Sequence, residues 1–411
     1  MGRSMRKRDV LIGTGLIALL IALAVGQFLL DGTVAAQQVQ APMFEVDPLW
    51  PKPLPNHWIL GSAIGVTVDP QDHVFIFHRY GTWNEGNEIS AATEPPTALE
   101  CCVPAPPILE FDPEGNLVGH WGGPGEGYEW PVANHGITMD PRGNLWLGGN
   151  GGGDSQILIF TRDGKFLKQL GKQQARGAPA QPGDEGPRYV GNSHDPESFG
   201  RVAKISFDAQ ANEAYVADGY LNKRVVVLDA TTGERKRQWG AYGNEPDDAN
   251  LGPYDPNAPP AKQFRNPVHC AEPTTDRLVY VCDRVNNRVQ VFQLDGTYVD
   301  ELIVAKETRG SGAAWDIALS HDPEQKYIYL TDGKNEKVYI IERKSLQVLT
   351  SFGDGGRQPS QFYGVHSIAV DSKGNIYTTE TYEGKRVQKF VYKGIGPVTK
   401  KDQGTVWPST D

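Results

Sequence analysis

The chain has 411 residues, enough for one large or two ordinary domains, and its net charge is −10. With 40 Lys and Arg residues against 50 Asp and Glu residues, the composition indicates no basic surface for nucleic acid. The 47 glycines and 30 prolines, with little helical periodicity after residue 40, favour an all-β chain of many short strands joined by turns.

The N-terminus predicts an export signal. The basic stretch RSMRKR (3–8) precedes an uncharged apolar run at 10–30, and the small residues of TVAAQ (33–37) suit cleavage after Ala36. If it is not cleaved, the run is long enough to anchor the chain in a bilayer, with the basic flank in the cytoplasm. We therefore predict a signal peptide or N-terminal membrane anchor at 1–36 and an exported remainder, periplasmic or extracellular.

One pattern recurs along the chain: an apolar strand, a turn typified by D-x-x-G-N, a second apolar strand, a loop and two further strands. The first two strands recur six times, at 65–77, 136–148, 204–218, 270–283, 317–332 and 367–380. The outer pair recurs at 108–122, 157–171, 225–240, 289–303 and 338–353, with a partial copy at 387–394. Units of about 40 residues are typical of propeller blades, which must stack to bury both faces. The sequence predicts a six-bladed β-propeller.

The repeat also predicts the domain limits. The propeller occupies 60–394, between an N-terminal segment at 37–59 and a C-terminal tail at 395–411. The sixth unit lacks a clear last strand, and PMFEVD (42–47) is a candidate to supply that strand and close the ring.

The direction of the strands assigns the loops to two faces. Loops between second and third strands, and loops that follow fourth strands, lie on the face where each first strand begins. Three long insertions rich in Pro and Gly fall there, at about 79–107, 172–199 and 241–262, whereas tight turns occupy the opposite face. Long loops on a rigid scaffold usually carry function, so we expect the functional site on the long-loop face.

Three histidines share one position in alternate units. His135, His269 and His366 lie just before the first strands of units two, four and six. Because first strands are innermost and alternate blades are a third of a turn apart, the three imidazoles are expected to point at one spot on the axis. Three nitrogens with an open fourth position suit zinc ahead of other divalent ions. Any one of these histidines alone would more often be a packing or loop residue. The corresponding residues in units one, three and five are Ile64, Ala203 and Trp315.

Loops between second and third strands reach the same face. Arg79, Tyr220 and Arg284 are candidates to face the histidines, although arginines in such loops often bind carbonyls or carboxylates and tyrosines often pack. The three loops are FHRYGTWNEGN (77–87), ADGYLNKR (217–224) and CDRVNNR (282–288).

Residues from about 60 to 394 resemble the lyase domain of peptidylglycine α-amidating enzymes, a six-bladed propeller of NHL-type four-stranded blades. The matching segments are NHGITMD, VHCAEP, VHSIAVD, IFHRYGTWNEGN, VADGYLNKRVVVLD and VCDRVNNRVQVF. The resemblance implies a carbon–nitrogen lyase that splits a peptidyl-α-hydroxyglycine into an amide and glyoxylate without a redox cofactor. It also implies Tyr220 as the catalytic tyrosine and general base, Arg79 and Arg284 as active-site arginines, and three zinc ligands: His135, His269 and His366.

The chain departs from the family pattern in two respects. The family's structural calcium uses a carboxylate immediately after the third histidine, where this chain has Ser367. Main-chain oxygens matching Val66 and Ile137 could still contribute, but we expect any calcium site to be weak. The copper monooxygenase partner of the family is not found in this sequence. We therefore expect a small-molecule or peptide substrate that is made elsewhere, or another N-acyl carbinolamide. We also expect the protein to be a monomer.

Four cysteines in an exported chain permit disulfides. Cys270 and Cys282 would lie on neighbouring strands of one hairpin, where a bridge is geometrically demanding. The pairing of the adjacent Cys101 and Cys102 stays open, and no cysteine has metal-site spacing.

Two other functions stay open on the sequence. A non-catalytic NHL-repeat propeller would bind protein, peptide or glycan on the long-loop face. A metal-dependent hydrolase or lactonase could use the same scaffold. Such propellers usually bind calcium through carboxylate ligands, so a set of three histidines counts against this function.

Overall fold

The computed structural model describes residues 39–84 and 87–408, so the predicted signal or anchor segment 1–36 lies outside the described residues. Within those two ranges, no helix is long and apolar enough to cross a membrane. Regular structure there is almost entirely β-strand. The exceptions are short 3-10 helices at Ser90–Ala92, Ala241–Gly243 and Arg284–Asn286.

Six four-stranded antiparallel sheets follow one another along the chain and form the blades of a six-bladed β-propeller, which confirms the predicted fold class. Inner strands of successive blades contact one another around the whole ring, blade 6 with blade 1 included. From the inside outwards, blade 1 consists of Ala63–Val68, Val74–His78, Ile108–Phe111 and Leu117–Trp121. Blade 2 consists of Asn134–Met139, Leu145–Gly149, Gln156–Phe160 and Phe166–Gly171. Blade 3 consists of Val202–Asp208, Glu213–Asp218, Arg224–Asp229 and Arg235–Trp239.

The remaining blades have the same order of strands. Blade 4 consists of Val268–Pro273, Leu278–Asp283, Arg288–Gln293 and Tyr298–Ile303. Blade 5 consists of Asp316–Leu319, Tyr327–Asp332, Lys337–Glu342 and Gln347–Phe352. Blade 6 consists of Val365–Val370, Ile376–Glu380, Arg386–Pro397 and, as its outer strand, Gln40–Asp47. Two-stranded sheets outside the blades pair Trp58–Ile59 with Val103–Pro104 and Gly177–Ala178 with Arg188–Tyr189.

The outer strand of blade 6 comes from the start of the described chain and closes the ring. It runs antiparallel to Arg386–Pro397, with Phe44 opposite Tyr392 and Val46 opposite Phe390. Phe44 and Val46 are buried, and Phe44 packs on Phe352 of blade 5 with ring centroids 5.6 Å apart. Closure therefore depends on apolar packing as well as on the strand ladder.

The hydrophobic core lies between the blades. Second strands such as EAYVAD (213–218) and YIYLTD (327–332) are buried at every position, because both of their faces meet a neighbouring blade. Outer strands such as RKRQW (235–239) keep exposed positions. The packing between blades fixes the positions of the inner strands. It therefore also fixes the side chains that these strands direct towards the propeller axis.

The D-x-x-G-N turns have one construction on the tight-turn face. In blade 2 the Oδ1 atom of Asp140 accepts hydrogen bonds from the backbone N–H groups of Arg142 and Asn144 at 2.8 and 2.9 Å. Gly143 has φ +83°, the left-handed region that favours glycine. Asp371 accepts the equivalent bonds in blade 6. These Asx turns explain why the motif marks each hairpin.

All four cysteines are paired. Cys270 and Cys282 face each other on neighbouring strands of blade 4, with Cα atoms 4.8 Å apart, and form a disulfide. Cys101 is bonded to Cys102 in the long loop of blade 1.

Candidate metal centre and active site

The three histidines singled out from the repeat meet on the propeller axis. His135, His269 and His366 are all buried, and one ring nitrogen from each lies within 4.8 Å of the others. Ring centroids are 4.9 to 5.2 Å apart. The inner strands of blades 2, 4 and 6 therefore bring the three imidazoles together as their shared register predicts.

Each imidazole is oriented by the next blade in the ring. The Nδ1 atom of His135 bonds the carbonyl of Ala203 at 2.7 Å, and that of His366 bonds the carbonyl of Ile64 at 2.8 Å. The Nδ1 atom of His269 bonds the carbonyl of Trp315. A carbonyl oxygen can only accept, so each Nδ1 carries the proton and each Nε2 presents a lone pair to the axis. The three acceptors are the residues that replace histidine in the odd-numbered blades.

Burial keeps the three rings neutral. It lowers the pKa of His366 to about 3, with further lowering by the charges of Arg284 and Arg79. It also lowers the pKa values of His135 and His269 well below their ordinary value, and the neighbouring His366 adds to the effect in both cases. Neutral imidazole is the form that binds a metal ion.

Tyr220 covers the triad from the loop between the second and third strands of blade 3. Its Oη atom lies 2.9 Å from Nε2 of His135 and 3.0 Å from Nε2 of His269. A Cβ added to Gly219 would lie 2.0 Å from the carbonyl oxygen of Val268, so glycine allows this loop to press against the strand that carries His269.

Arg284 lies beside Tyr220. Its Nη1 atom donates to the Tyr220 Oη atom at 3.0 Å, and its guanidinium lies 4.5 Å from the ring centroid of Trp315. Its side chain is buried, and its Nε atom has no partner in the described part of the structure.

Arg79 is the second cation at the site. Its Nε atom donates to the carbonyl of Asn134 at 3.3 Å, and its Nη2 atom donates to Oδ1 of Asn150 at 2.8 Å. Burial lowers the pKa of Arg79, and the nearby Arg284 acts in the same direction. Within residues 39–84 and 87–408, neither arginine forms an ion pair with a carboxylate. Among the described residues, the site thus has two cations that no carboxylate contacts directly, although Asp154 acts on Arg79 from a longer distance.

The donor set fits zinc. Three neutral imidazole nitrogens, each oriented through its second nitrogen, match the protein ligands of a catalytic zinc site with one open position. Tyr220 contacts two of the three Nε2 atoms, and Arg284 donates to Tyr220.

The axial channel next to the triad does not fit calcium. The Nζ atom of Lys204 projects into it and lies 2.8 Å from Asp316, 3.4 Å from Glu272 and 3.1 Å from the carbonyl of Ile317. Burial lowers the pKa of Lys204, but the charges of Asp316 and Glu272 have a larger effect in the opposite direction. The pKa of Lys204 is therefore raised above its ordinary value. About 10 Å³ of free space remains between residues that include Val66, Ile137 and Ser367. The ammonium group therefore takes the place that a structural cation would need.

A second group of possible metal ligands lies on the tight-turn face, but an arginine side chain occupies the space between them. Asp69, His73 and Glu110 approach one another, but the guanidinium of Arg162 lies between them. It bonds Asp69 at 2.6 Å, His73 at 3.0 Å and Glu110. We therefore exclude this group as a metal site.

Two residues of the site, Asn134 and Asn150, carried no signal in the repeat, and both bind Arg79. Trp315, at the histidine position of blade 5, lies under Arg284. Lys204 and Asp316 did carry one, because they occupy the position immediately after the histidine position in blades 3 and 5. The same position in the other four blades has Gly65, Gly136, Cys270 and Ser367.

No family model matches the chain. Among curated proteins, it is 24% identical over 367 residues to peptidyl-alpha-hydroxyglycine alpha-amidating lyase 1 of Drosophila melanogaster, covering 84% of this chain and 59% of that protein. It is 25% identical over 331 residues to peptidylglycine alpha-amidating monooxygenase of Rattus norvegicus, covering 78% of this chain and 30% of that protein. The chain thus spans less than two thirds of these relatives, and the similarity to amidating enzymes is distant.

Among solved structures, a streptogramin B lyase is similar over 85% of this chain and 98% of its own, with 12% identity and a TM-score of 0.48.

Proposed function

We propose that this protein is a zinc-dependent lyase that cleaves an N-acyl-α-hydroxyglycine, such as a peptidyl-α-hydroxyglycine, into an amide and glyoxylate. The proposal rests on one observation above all. Three oriented, neutral imidazoles converge on the axis, a tyrosine hydroxyl contacts two of them, and a buried arginine donates a hydrogen bond to that hydroxyl. The distant similarity to amidating lyases supports the same reaction.

The charges at the site support an anionic substrate. Arg284 is buried and lacks a carboxylate partner among the described residues, and the half-buried Arg79 adds a second cation without such a partner there. A substrate carboxylate would offset both charges, and a guanidinium binds a carboxylate best through two parallel hydrogen bonds. Arg284 would thus hold the glycine carboxylate, with its free Nε atom as one donor.

His135, His269 and His366 would hold the zinc ion through their Nε2 atoms. When bound, the ion supplies a Lewis acid that lowers the pKa of the substrate hydroxyl. The backbone carbonyls of the odd-numbered blades keep the three rings in the required tautomer.

Tyr220 would move the proton. As a phenolate beside the charge of Arg284, its Oη atom would accept the proton of the substrate hydroxyl and become a neutral phenol. The electron pair of the broken O–H bond forms the C=O bond of glyoxylate as the C–N bond breaks. Tyr220 then returns the proton to the amide nitrogen that leaves, so atoms and charge balance without a redox partner.

Glyoxylate release from α-hydroxyhippurate tests the proposal. Purified protein loaded with zinc should release glyoxylate, and elemental analysis should find one zinc per chain. His269→Ala should lose both the metal and the activity, because two imidazoles do not complete the site. His321→Ala, which changes an exposed histidine on the opposite, tight-turn face, serves as the control and should keep both. If wild-type protein binds no zinc when zinc is supplied and releases no glyoxylate, the proposal is contradicted and a binding propeller is favoured.

A further inference from the structure

A cavity of about 550 Å³ opens on the long-loop face between blades 1 and 2. Its inner end contains Asn134 and Tyr80, which adjoin His135 and Arg79 in sequence. The Nδ2 atom of Asn134 donates to the carbonyl of His78 at 2.8 Å, and its own carbonyl accepts from Nε of Arg79 at 3.3 Å. The cavity therefore extends outwards from the residues that position Arg79.

The wall of this cavity combines aromatic rings with polar groups and is uncharged among the described residues. Trp58, Tyr80 and Trp130 contribute the rings, and none of the described Asp, Glu, Lys, Arg or His side chains lines the cavity. By contrast, a cavity of about 330 Å³ near blade 4 is lined by Asp255, Arg265 and other charged residues. A concave site that has aromatic rings and a few polar groups but no charge is typical of sites that bind uncharged parts of small ligands.

The wall is also held in place. Five of its residues are prolines, at 104, 106, 107, 124 and 131. Two hydrogen bonds tie the segment before blade 1 to the proline-rich strand: Val103 donates to the carbonyl of His57, and Ala105 donates to that of Ile59. Trp130 packs edge-on against Phe77, with ring centroids 6.0 Å apart. A preformed wall loses little conformational entropy when a ligand binds.

We infer that this cavity, named here the blade 1–2 groove, binds the N-acyl group of the substrate and selects uncharged, apolar or aromatic acyl groups. The inference rests on the proposed function. Arg284 and Arg79 hold the anionic end of the substrate near the axis, and the uncharged groove beside Arg79 then receives the opposite end of the molecule. The substrate class is therefore an N-acyl-α-hydroxyglycine whose acyl group or last residue is apolar.

Three substrates that share the α-hydroxyglycine part test the groove: the N-benzoyl, N-acetyl and N-succinyl derivatives. Wild-type protein should show a kcat/KM for the benzoyl compound at least about tenfold above that for the acetyl compound, and the succinyl compound should be the poorest. Val132, which lines the groove and is 63% exposed, is the position to change. Val132→Lys should shift the ratio of succinyl to benzoyl kcat/KM by about tenfold or more towards succinyl.

Val190→Lys is the matched control, because Val190 is 52% exposed and does not line the groove. It should leave the ratio as in the wild type. Equal kcat/KM for benzoyl and acetyl compounds, or equal shifts in the two lysine variants, would overturn the groove assignment while glyoxylate release still supports the lyase. Absence of turnover with all three compounds would overturn the lyase, and the groove assignment with it.

Discussion

Replacing Lys204 by methionine tests whether an internal ammonium group stabilises the ring in place of a metal ion. Methionine keeps most of the aliphatic length but removes the charge, so Asp316, whose side chain is only 2% exposed, loses its partner at 2.8 Å. At an effective dielectric constant of about 20, that contact supplies a gross attraction of about 6 kcal/mol. Desolvation of both groups opposes much of this attraction, and loss of one partner from a buried pair costs about 3–5 kcal/mol.

We therefore expect Lys204→Met to lower the free energy of unfolding by about 3–5 kcal/mol, measured by guanidinium denaturation of zinc-loaded protein. Lys204→Met combined with Asp316→Asn should recover part of the loss, because the unpaired buried carboxylate is then gone. Addition of calcium to zinc-loaded wild-type protein should not change the free energy of unfolding. A Lys204→Met variant as stable as the wild type, or a wild type that calcium stabilises, would refute this account of the channel.

Two further predictions concern Tyr220, the proposed general base, and the pH dependence of stability. Tyr220→Phe should keep its zinc and lose about 10²- to 10⁴-fold in kcat/KM for glyoxylate release, whereas Tyr254→Phe, in the cavity near blade 4, should match the wild type. Burial lowers the pKa of His78 from 6.5 to about 4. Because the folded pKa lies below the unfolded one, the stabilisation is complete above about pH 6.5 and is lost as the pH falls towards 4, a change of about 3 kcal/mol. In metal-free protein, the free energy of unfolding of His78→Asn should therefore fall less than that of the wild type over this pH range. If the free energy of unfolding falls equally with pH in both proteins, His78 is not the source of the effect.

The propeller and the meeting of three histidines could be predicted because both follow from a period. A turn recurs at a constant place in each hairpin, as an Asx turn in four blades and with the hydroxyls of Thr274 and Ser320 in blades 4 and 5, so it sets the register of the inner strands. Once the register is known, His135, His269 and His366 fall on equivalent positions. The loops that place Tyr220 and Arg284 follow by the same count, since each comes directly after a second strand.

The surroundings of the site could not be predicted in the same way. The partners of Arg79 come from a neighbouring blade, and the groove wall combines Trp58, the prolines near residue 105 and Trp130. Long loops without a period bring these segments together, so spacing along the chain says nothing of their contacts. Lys204 is a different case. Aligning the position after each histidine shows one lysine and one aspartate among small residues, which predicts an ion pair inside the ring.

The closure of blade 6 has a consequence for biosynthesis. Gln40–Asp47 leaves the ribosome before every other blade strand, and its partner Arg386–Pro397 leaves after all of them. Until that last strand emerges, the sheet that carries His366 is incomplete and the oldest strand has an unpaired edge. A nascent chain that lacks Arg386–Pro397 therefore cannot hold its three imidazoles in a closed ring, and the proposed zinc site would be complete only after that strand has been translated.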